Sequence, residues 1–348
     1  MPYDRDHVVL EPEQVTNVSS HEYPHHFPNE DPSGFGLEGF KKKLNIKVWR
    51  VSRDTMEFDL VGVDASLANA VRRILIAEVP TMAIRYVYVL NNTGIIQDEV
   101  LAHRLGLIPI LAEPEMFNFK TADESPTDLN TIVFQMQVKC TRRPNDTVAA
   151  DETDPDKLYV NSSVYSNALT WDPKGDQATR FADNPIRPVI DDILIAKLRP
   201  GQEINCELHC EKGIGADHAK WSPVATASYR LLPHIDIKQE ITGDLADKFQ
   251  KCFPPGVVEV VTEHGVKKAK VANHRKDTVS REVLRHKEFE GMVELKRVRD
   301  HFLFNIESTG IIPPPTLFVR AIRVLMNKCA VVKQAVEAIA PKDEDMQE

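Results

Sequence analysis

Hydrophobic and polar positions fall into the same order twice along this chain, in residues 58–80 and again, more than two hundred residues later, in residues 302–338. Each stretch runs a short alternating segment through a turn into a helix with an apolar stripe. In the first, Asp64 is placed to cap a helix and Ser66 offers a second oxygen in the same turn. Leu67, Ala70, Val71, Ile74 and Leu75 then recur at the three-four spacing of one helical face, and Pro80 ends the helix. Arg72 and Arg73 stand side by side on the other side of the stripe. In the second stretch Pro313, Pro314 and Pro315 break the chain, and Leu317, Ala321, Val324, Leu325, Cys329 and Val332 form a stripe too long for an ordinary surface helix. Phe318, Ile322 and Met326 make a second stripe beside it. Half of each stripe packs on its own sheet. A helix apolar over so wide an arc also expects neighbours on another side, so the two stretches are expected to form one discontinuous domain that pairs with another chain.

The pattern between them is less regular. Residues 1–40 are polar, with Pro24, Pro28, Pro32 and a cluster of His21, His25 and His26, and read as a mobile or draped arm. Order begins at Leu44, where Leu44, Ile46 and Val48 alternate with polar residues, and a second strand covers 58–63. After the first helix, residues 84–90 are a strand of β-branched and aromatic residues closed by a turn at Asn91, Asn92, Thr93 and Gly94. Residues 98–110 predict a short helix with Val100, Leu101, Arg104 and Leu105 at helical spacing, stopped by Gly106 and Pro109. Beyond it lie Pro-, Asp- and Asn-rich loops, strands at 131–140 and 204–210, and apolar segments at 158–164 and 190–198, which suggests an irregular inserted module. Between Lys267 and Arg299 eleven basic residues are interleaved with five acidic ones from Asp277 onward; a contact with an acidic partner or nucleic acid competes there with a solvated helix face of mixed charge. Residues 298–306 alternate into a last strand.

Composition narrows the class. A chain of 348 residues, 42% hydrophobic and 27% charged, has room for two globular domains. Its net charge of -9 argues against free-standing, sequence-independent nucleic-acid binding. No apolar run approaches the ~20 residues of a membrane span, and the first residues carry no signal pattern, so an intracellular protein is expected. Five scattered cysteines fit free thiols in a reducing compartment, and the glycosylation-type matches at Asn17, Asn91, Asn145 and Asn161 are then chance.

Three groupings invite chemistry. Cys206 and Cys210, with His209 and His218, resemble a zinc set, but Ile204, Cys206, Leu208 and Cys210 alternate with Glu203, Asn205, Glu207 and His209 as a half-buried strand does. Strand positions four apart are separated by about 13 Å, too far for two thiolates to share one ion at ~2.3 Å bonds. The loop carrying Gly213 and Gly215 ahead of His218, Lys220 and Trp221 lacks phosphate-loop spacing, and its aromatic with flanking donors is interface chemistry instead. No catalytic triad or carboxylate pair can be isolated among the scattered candidates.

Four runs carry a resemblance: DASLANAVRRILIAEVP, IIQDEVLAHRLGLIPI, GADHAKWSPVATASYRLLP and RVRDHFLFNIESTGIIPPPTLFVRAIRVL, in that order. Together they resemble the α-like assembly subunits of DNA-directed RNA polymerases, and more narrowly the larger α-like subunit that eukaryotic polymerases I and III share, over roughly residues 44–338. The resemblance implies an α+β fold: a discontinuous dimerisation domain of helices on a sheet (44–95 and 286–340), an inserted, mainly β domain (96–285), an arm (1–43) and a tail (341–348). It implies a non-catalytic subunit of the nucleus and nucleolus, pairing with a small α-like subunit and holding the two large catalytic subunits for synthesis of ribosomal RNA precursors, 5S RNA and tRNA. Nucleic acid would be met only through the complex, and no membrane is involved. The implied dimer face is Leu67, Val71, Ile74, Leu75, Leu317, Ala321, Val324 and Leu325. Arg72, Arg73, His218 and Lys220 would contact the large subunits, Arg72 and Arg73 meeting the second-largest together with the 98–110 helix. Only Cys140 lies between Asp98 and Ile204, so the zinc cluster of the polymerase II counterpart and the iron-sulfur clusters of archaeal relatives are not carried over and no cofactor is expected. The alternative is a polymerase II-type subunit without its zinc cluster.

Overall fold

The computed structural model describes residues 6–18, 36–144 and 153–339. In chain order its main elements are β1 (His7–Leu10), β2 (Val15–Thr16), α1 (Leu37–Lys43), β3 (Asn45–Val51), β4 (Thr55–Val61), α2 (Ala65–Ala77), β5 (Thr81–Asn92) and α3 (Asp98–Gly106). They continue with β6 (Thr131–Lys139), β7 (Thr170–Asp172), β8 (Glu203–Gly213), β9 (Val224–Ile237), α4 (Asp244–Lys251), β10 (Val258–Glu263), β11 (Val266–Val271), β12 (Val293–Ser308) and α5 (Pro314–Ile339). The mixture of helices and sheets is the expected α+β class. The described residues within Met1–Arg50, Glu57–Asn69 and Ser228–Asn305 form one compact unit, and those within Val51–Met56, Ala70–Ala227 and Ile306–Glu348 form another. These boundaries differ from a division at 96 and 286.

The first unit is built on a sheet in the order β2-β1-β12-β4-β3, with β9 also paired to β12. Part of the expected arm is therefore strand: His7 pairs with Val298 and Leu10 with Leu295. The proline and histidine cluster at 21–32 and the tail from 341 lie outside the described residues. On one sheet face Phe58 stacks on Phe304 at 5.1 Å, and Tyr229 meets Phe302 edge-on at 5.2 Å. Elsewhere Phe249, at 5.4 Å from Phe289, packs with Leu10, Ile235, Ile241, Val257 and Leu295 in a second cluster. The basic segment is not a helix face, as the mixed charges suggested. It is β11, 3-10 turns and the start of β12, and its lysines are matched locally, Lys267 to Asp247 at 2.6 Å and Lys268 to Glu240 at 3.0 Å.

One buried charge in this unit has a measurable consequence. Asp59 is buried on β4 and accepts from Arg275 and from His301 Nε2 at 3.0 Å, while Arg275 lies over the Trp49 ring at 4.9 Å. Burial alone would raise its carboxyl pKa, but the hydrogen bonds from Arg275, His301 and Trp49 win and hold it below the ordinary carboxylate value. A carboxyl with a depressed folded-state pKa contributes stability above its unfolded value, about 3.9, and loses it as pH falls through the folded value. Asp59→Asn is therefore expected to cost about 2 kcal/mol at neutral pH and to flatten the acid side of the stability profile below about pH 4. Urea unfolding from pH 3 to 7 reads both effects; parallel curves for variant and parent would remove Asp59 from the account.

The second unit holds a four-stranded sheet in the order β7-β6-β8-β5. The alternation expected at 204–210 holds over that stretch of β8 and shifts phase at buried Glu211, with Ile204, Cys206, Leu208 and Cys210 buried in one cluster with Phe134, Met136, Leu101 and Leu105. Burial pushes the Cys206 thiol up to about 11 and raises Cys210 further, so both behave as small core hydrophobes. The helix predicted at 98–110 is α3; Leu101 and Leu105 face the core, whereas Arg104 donates to the carbonyls of Leu194 and Ile195 at 2.6 and 2.9 Å. Val100 is exposed.

Candidate subunit-docking surface

The α2 helix starts as its sequence dictates, with Asp64 Oδ1 accepting from the Ser66 N–H at 2.7 Å. Ala68, Val71, Ile74, Leu75 and Val79 are buried, while Leu67 and Ile76 remain exposed. Its C-terminal end is clamped by the loop after β8. Ala216 N–H donates to the Ala77 carbonyl at 2.8 Å, and a Cβ on Gly215 would stand 2.1 Å from the Ile76 oxygen, which is why no side chain fits there. A Cβ on Gly213 would collide with the Trp221 ring at 2.4 Å, and the Trp221 indole N–H donates to the Glu211 carbonyl at 3.0 Å. The loop read from sequence as a contact surface is thus first a brace for α2.

The prolines at 313–315 begin a helix rather than interrupt one. Pro314 and Pro315 occupy the first turn of α5, where no intrahelical N–H is needed, and the Leu317 N–H donates to the Pro313 carbonyl at 3.0 Å. Over the next turns α5 is anchored. Leu317 and Ala321 are buried, Val324 and Leu325 are half-buried, and Arg320 pairs with Glu113 at 2.7 Å and Glu115 at 3.4 Å. Lys328 then reaches Glu78 with both carboxylate oxygens, at 2.8 and 2.9 Å.

From Met326 to Ile339 every residue of α5 is exposed. At 26 residues the helix is about 39 Å long, so roughly half its length carries no cover among the described residues. That half is not polar. Leu325, Cys329, Val332, Val336 and Ile339 follow one another at four-three-four-three spacing, the seam of a two-helix packing, and Val332, Val336 and Ile339 are 63%, 61% and 82% exposed. Among the described residues no helix is long and apolar enough to cross a membrane.

The predicted dimer face is accordingly divided. Val71, Ile74, Leu75, Leu317 and Ala321 are buried within their own chain and out of another chain's reach, because the same stripe that seeks a partner also supplies the local core. Leu67, Val324 and Leu325 remain wholly or partly accessible, and the seam continues past Val332 to Val336 and Ile339, which the sequence reading stopped short of. Arg73 is exposed and Arg72 half-buried on α2. His218 is exposed, with Nδ1 accepting from the Lys220 N–H at 3.0 Å. Lys220 is only half-exposed, with Nζ donating to the Ile84 carbonyl at 2.9 Å and lying 4.5 Å over Trp221. Arg85 and His103 were not singled out from sequence, yet both line a cavity of about 210 Å³ with His218 and Lys220.

Comparison with known proteins adds an independent line. A profile of the RNA polymerase Rpb3/Rpb11 dimerisation domain matches residues 57–329. The chain is 51% identical over 336 residues to the DNA-directed RNA polymerases I and III subunit RPAC1 of Mus musculus, covering 96% of each chain. It is 49% identical over 330 residues to the subunit of the same name from Saccharomyces cerevisiae, covering 94% of this chain and 97% of that one. To the DNA-directed RNA polymerase II subunit rpb3 of Dictyostelium discoideum it is 31% identical over 298 residues, covering 82% of this chain and 93% of that one.

Proposed function

Because the chain belongs to the RNA polymerase Rpb3/Rpb11 dimerisation-domain family, we propose that it is the larger α-like assembly subunit shared by RNA polymerases I and III. It pairs with a small α-like subunit and, as a heterodimer, holds the largest and second-largest subunits, which carry the catalytic site. Its own contribution is geometric. The observation that carries this reading is the outer half of α5, a helix with an exposed heptad-like apolar seam, surface of the kind that a second helix stabilises by covering it. In this reading residues 44–95 and 286–340 make the dimerisation domain and 96–285 the insertion, and exposed Arg73 beside half-buried Arg72 faces the second-largest subunit. Compactness within one chain and the surface offered to a partner obey different constraints, so the two divisions of the chain need not coincide. The protein works in the nucleus, including the nucleolus, in synthesis of ribosomal RNA precursors and of small RNAs such as 5S RNA and tRNA.

The polymerase I and III assignment is supported by identity of 49–51% to subunits of that name, against 31% to a polymerase II subunit. A tagged chain purified at moderate salt is expected to bring down the large subunits of both polymerase I and polymerase III, identified by mass spectrometry. Recovery of polymerase II large subunits alone would favour the polymerase II-type alternative, and a monomer free of polymerase subunits would overturn the assembly role.

A further inference from the structure

A small cavity of about 210 Å³ opens in the second unit, lined by the end of α3, by β5 and by the 3-10 turn at Ala219–Trp221. Arg85, His103, His218 and Lys220 all contribute to its wall, and no aspartate or glutamate does. In a chain of net charge -9 such a concentration of nitrogen donors is not the average surface. Arg85 has a partner outside the wall, Glu211 at 3.3 Å, but Glu211 is buried and shares its charge with Lys120 at 2.8 Å. Lys220 has no carboxylate within ion-pair distance among the described residues; one of its three ammonium protons goes to the Ile84 carbonyl. Burial first, and then the charge of Arg85, lower its pKa, against a smaller opposing pull from Cys210 and Glu211. The His218 ring accepts at Nδ1 from the Lys220 N–H, so its neutral form carries the proton on Nε2 and has a donor to spare. The His103 ring stands 6.1 Å from it, and Gly106 leaves the floor without a side chain.

We infer that this cavity seats an acidic side chain from the second-largest polymerase subunit, an aspartate or glutamate carboxylate held between Arg85, His103, His218 and Lys220. The inference rests on the assembly reading above and adds to it the chemistry of one contact and two residues, Arg85 and His103. A protein carboxylate fits better than nucleic acid. The space is below the 300–1,000 Å³ usual for a small-molecule site and takes one carboxylate without a base or sugar, and the whole-chain charge repels a phosphate backbone. Half-burial of Lys220 lowers the effective dielectric around a pair and makes it count for more than a surface ion pair.

The test uses the chain co-expressed with the small α-like subunit and measures binding of that heterodimer to the purified second-largest subunit by interferometry. His103→Glu changes an exposed side chain and spares the fold, which the thermal midpoint checks; Arg85→Glu is the second variant. Each is expected to weaken binding by at least about thirtyfold without affecting pairing with the small subunit, while the same reversal at exposed Arg142, outside the cavity, leaves binding unchanged. His103→Glu within twofold of the parent would overturn the inference. So would parent binding to a labelled single-stranded DNA 20-mer that His103→Glu abolishes, which would assign the cavity to phosphate. If the unaltered heterodimer captures no large subunit, the assembly reading itself fails and takes this contact with it.

Discussion

Val332→Asp combined with Val336→Asp is expected to leave the chain folded and to abolish the proposed pairing with a small α-like subunit. Both side chains lie on the uncovered half of α5, 63% and 61% exposed, so neither supports the chain's own core. Covering a valine stabilises a complex by about 1.5–3 kcal/mol, and an aspartate in its place must also be stripped of water. Together the two changes remove about 5 kcal/mol, which weakens the pair by a thousandfold or more. Size-exclusion chromatography of co-expressed chains reads the loss, and circular dichroism with a thermal midpoint reads the fold. Glu78→Ala is the matched control, because the Glu78–Lys328 pair is exposed and contributes at most about 1 kcal/mol. Pairing that survives the double change would move the interface elsewhere on the chain. Loss of the fold would show that outer α5 belongs to the core.

Leu75→Asp, one helix away, is expected to do the opposite and destroy the fold itself. Leu75 is fully buried, and its replacement removes the transfer energy of a large side chain and takes a carboxylate out of water. The cost exceeds about 4 kcal/mol, against a total stability of about 5–15 kcal/mol for an ordinary domain. Insoluble expression, or a urea midpoint shifted far below the parent, is the expected outcome. A soluble chain of parental midpoint that merely fails to pair would mean Leu75 faces the partner after all. Leu325→Asp sits between the two cases, since Leu325 is half-buried where the anchored and free parts of α5 meet.

The contrast between these helices measures what was legible in the chain. Strand periodicity at 204–210 and helix periodicity at 98–106 were readable because each element has one dry face and one wet face, and that alternation is written in residue type. The β9 strand, 14 residues of VATASYRLLPHIDI, was not: its two alanines, Asp236 and Pro233 belong to types depleted in strands and break up its β-branched residues, and its pairing with β12 is a long-range contact. The hairpin of β10 and β11 was hidden for a related reason, since its lysines look like a solvated helix face until Asp247 and Glu240 are seen opposite them. At the candidate site, the run around His218 and Lys220 signalled contact by its residue types. That Lys220 also caps the Ile84 carbonyl, and that Arg85 and His103 join it in one cavity, depends on three segments far apart in sequence.

By itself the sequence determined that two apolar-striped helices exist, where each begins, and that their stripes are too wide for one neighbour. A stripe states how much surface must leave water; it does not state what covers it. The tertiary structure decided the division. Val71, Ile74, Leu75, Leu317 and Ala321 are covered within the chain, while Val332, Val336 and Ile339 are left exposed among the described residues, which is the surface the proposed pairing would cover. The physical reason is length: a 26-residue helix rises about 39 Å, the contacts that bury it end near Leu325, and the apolar spacing does not.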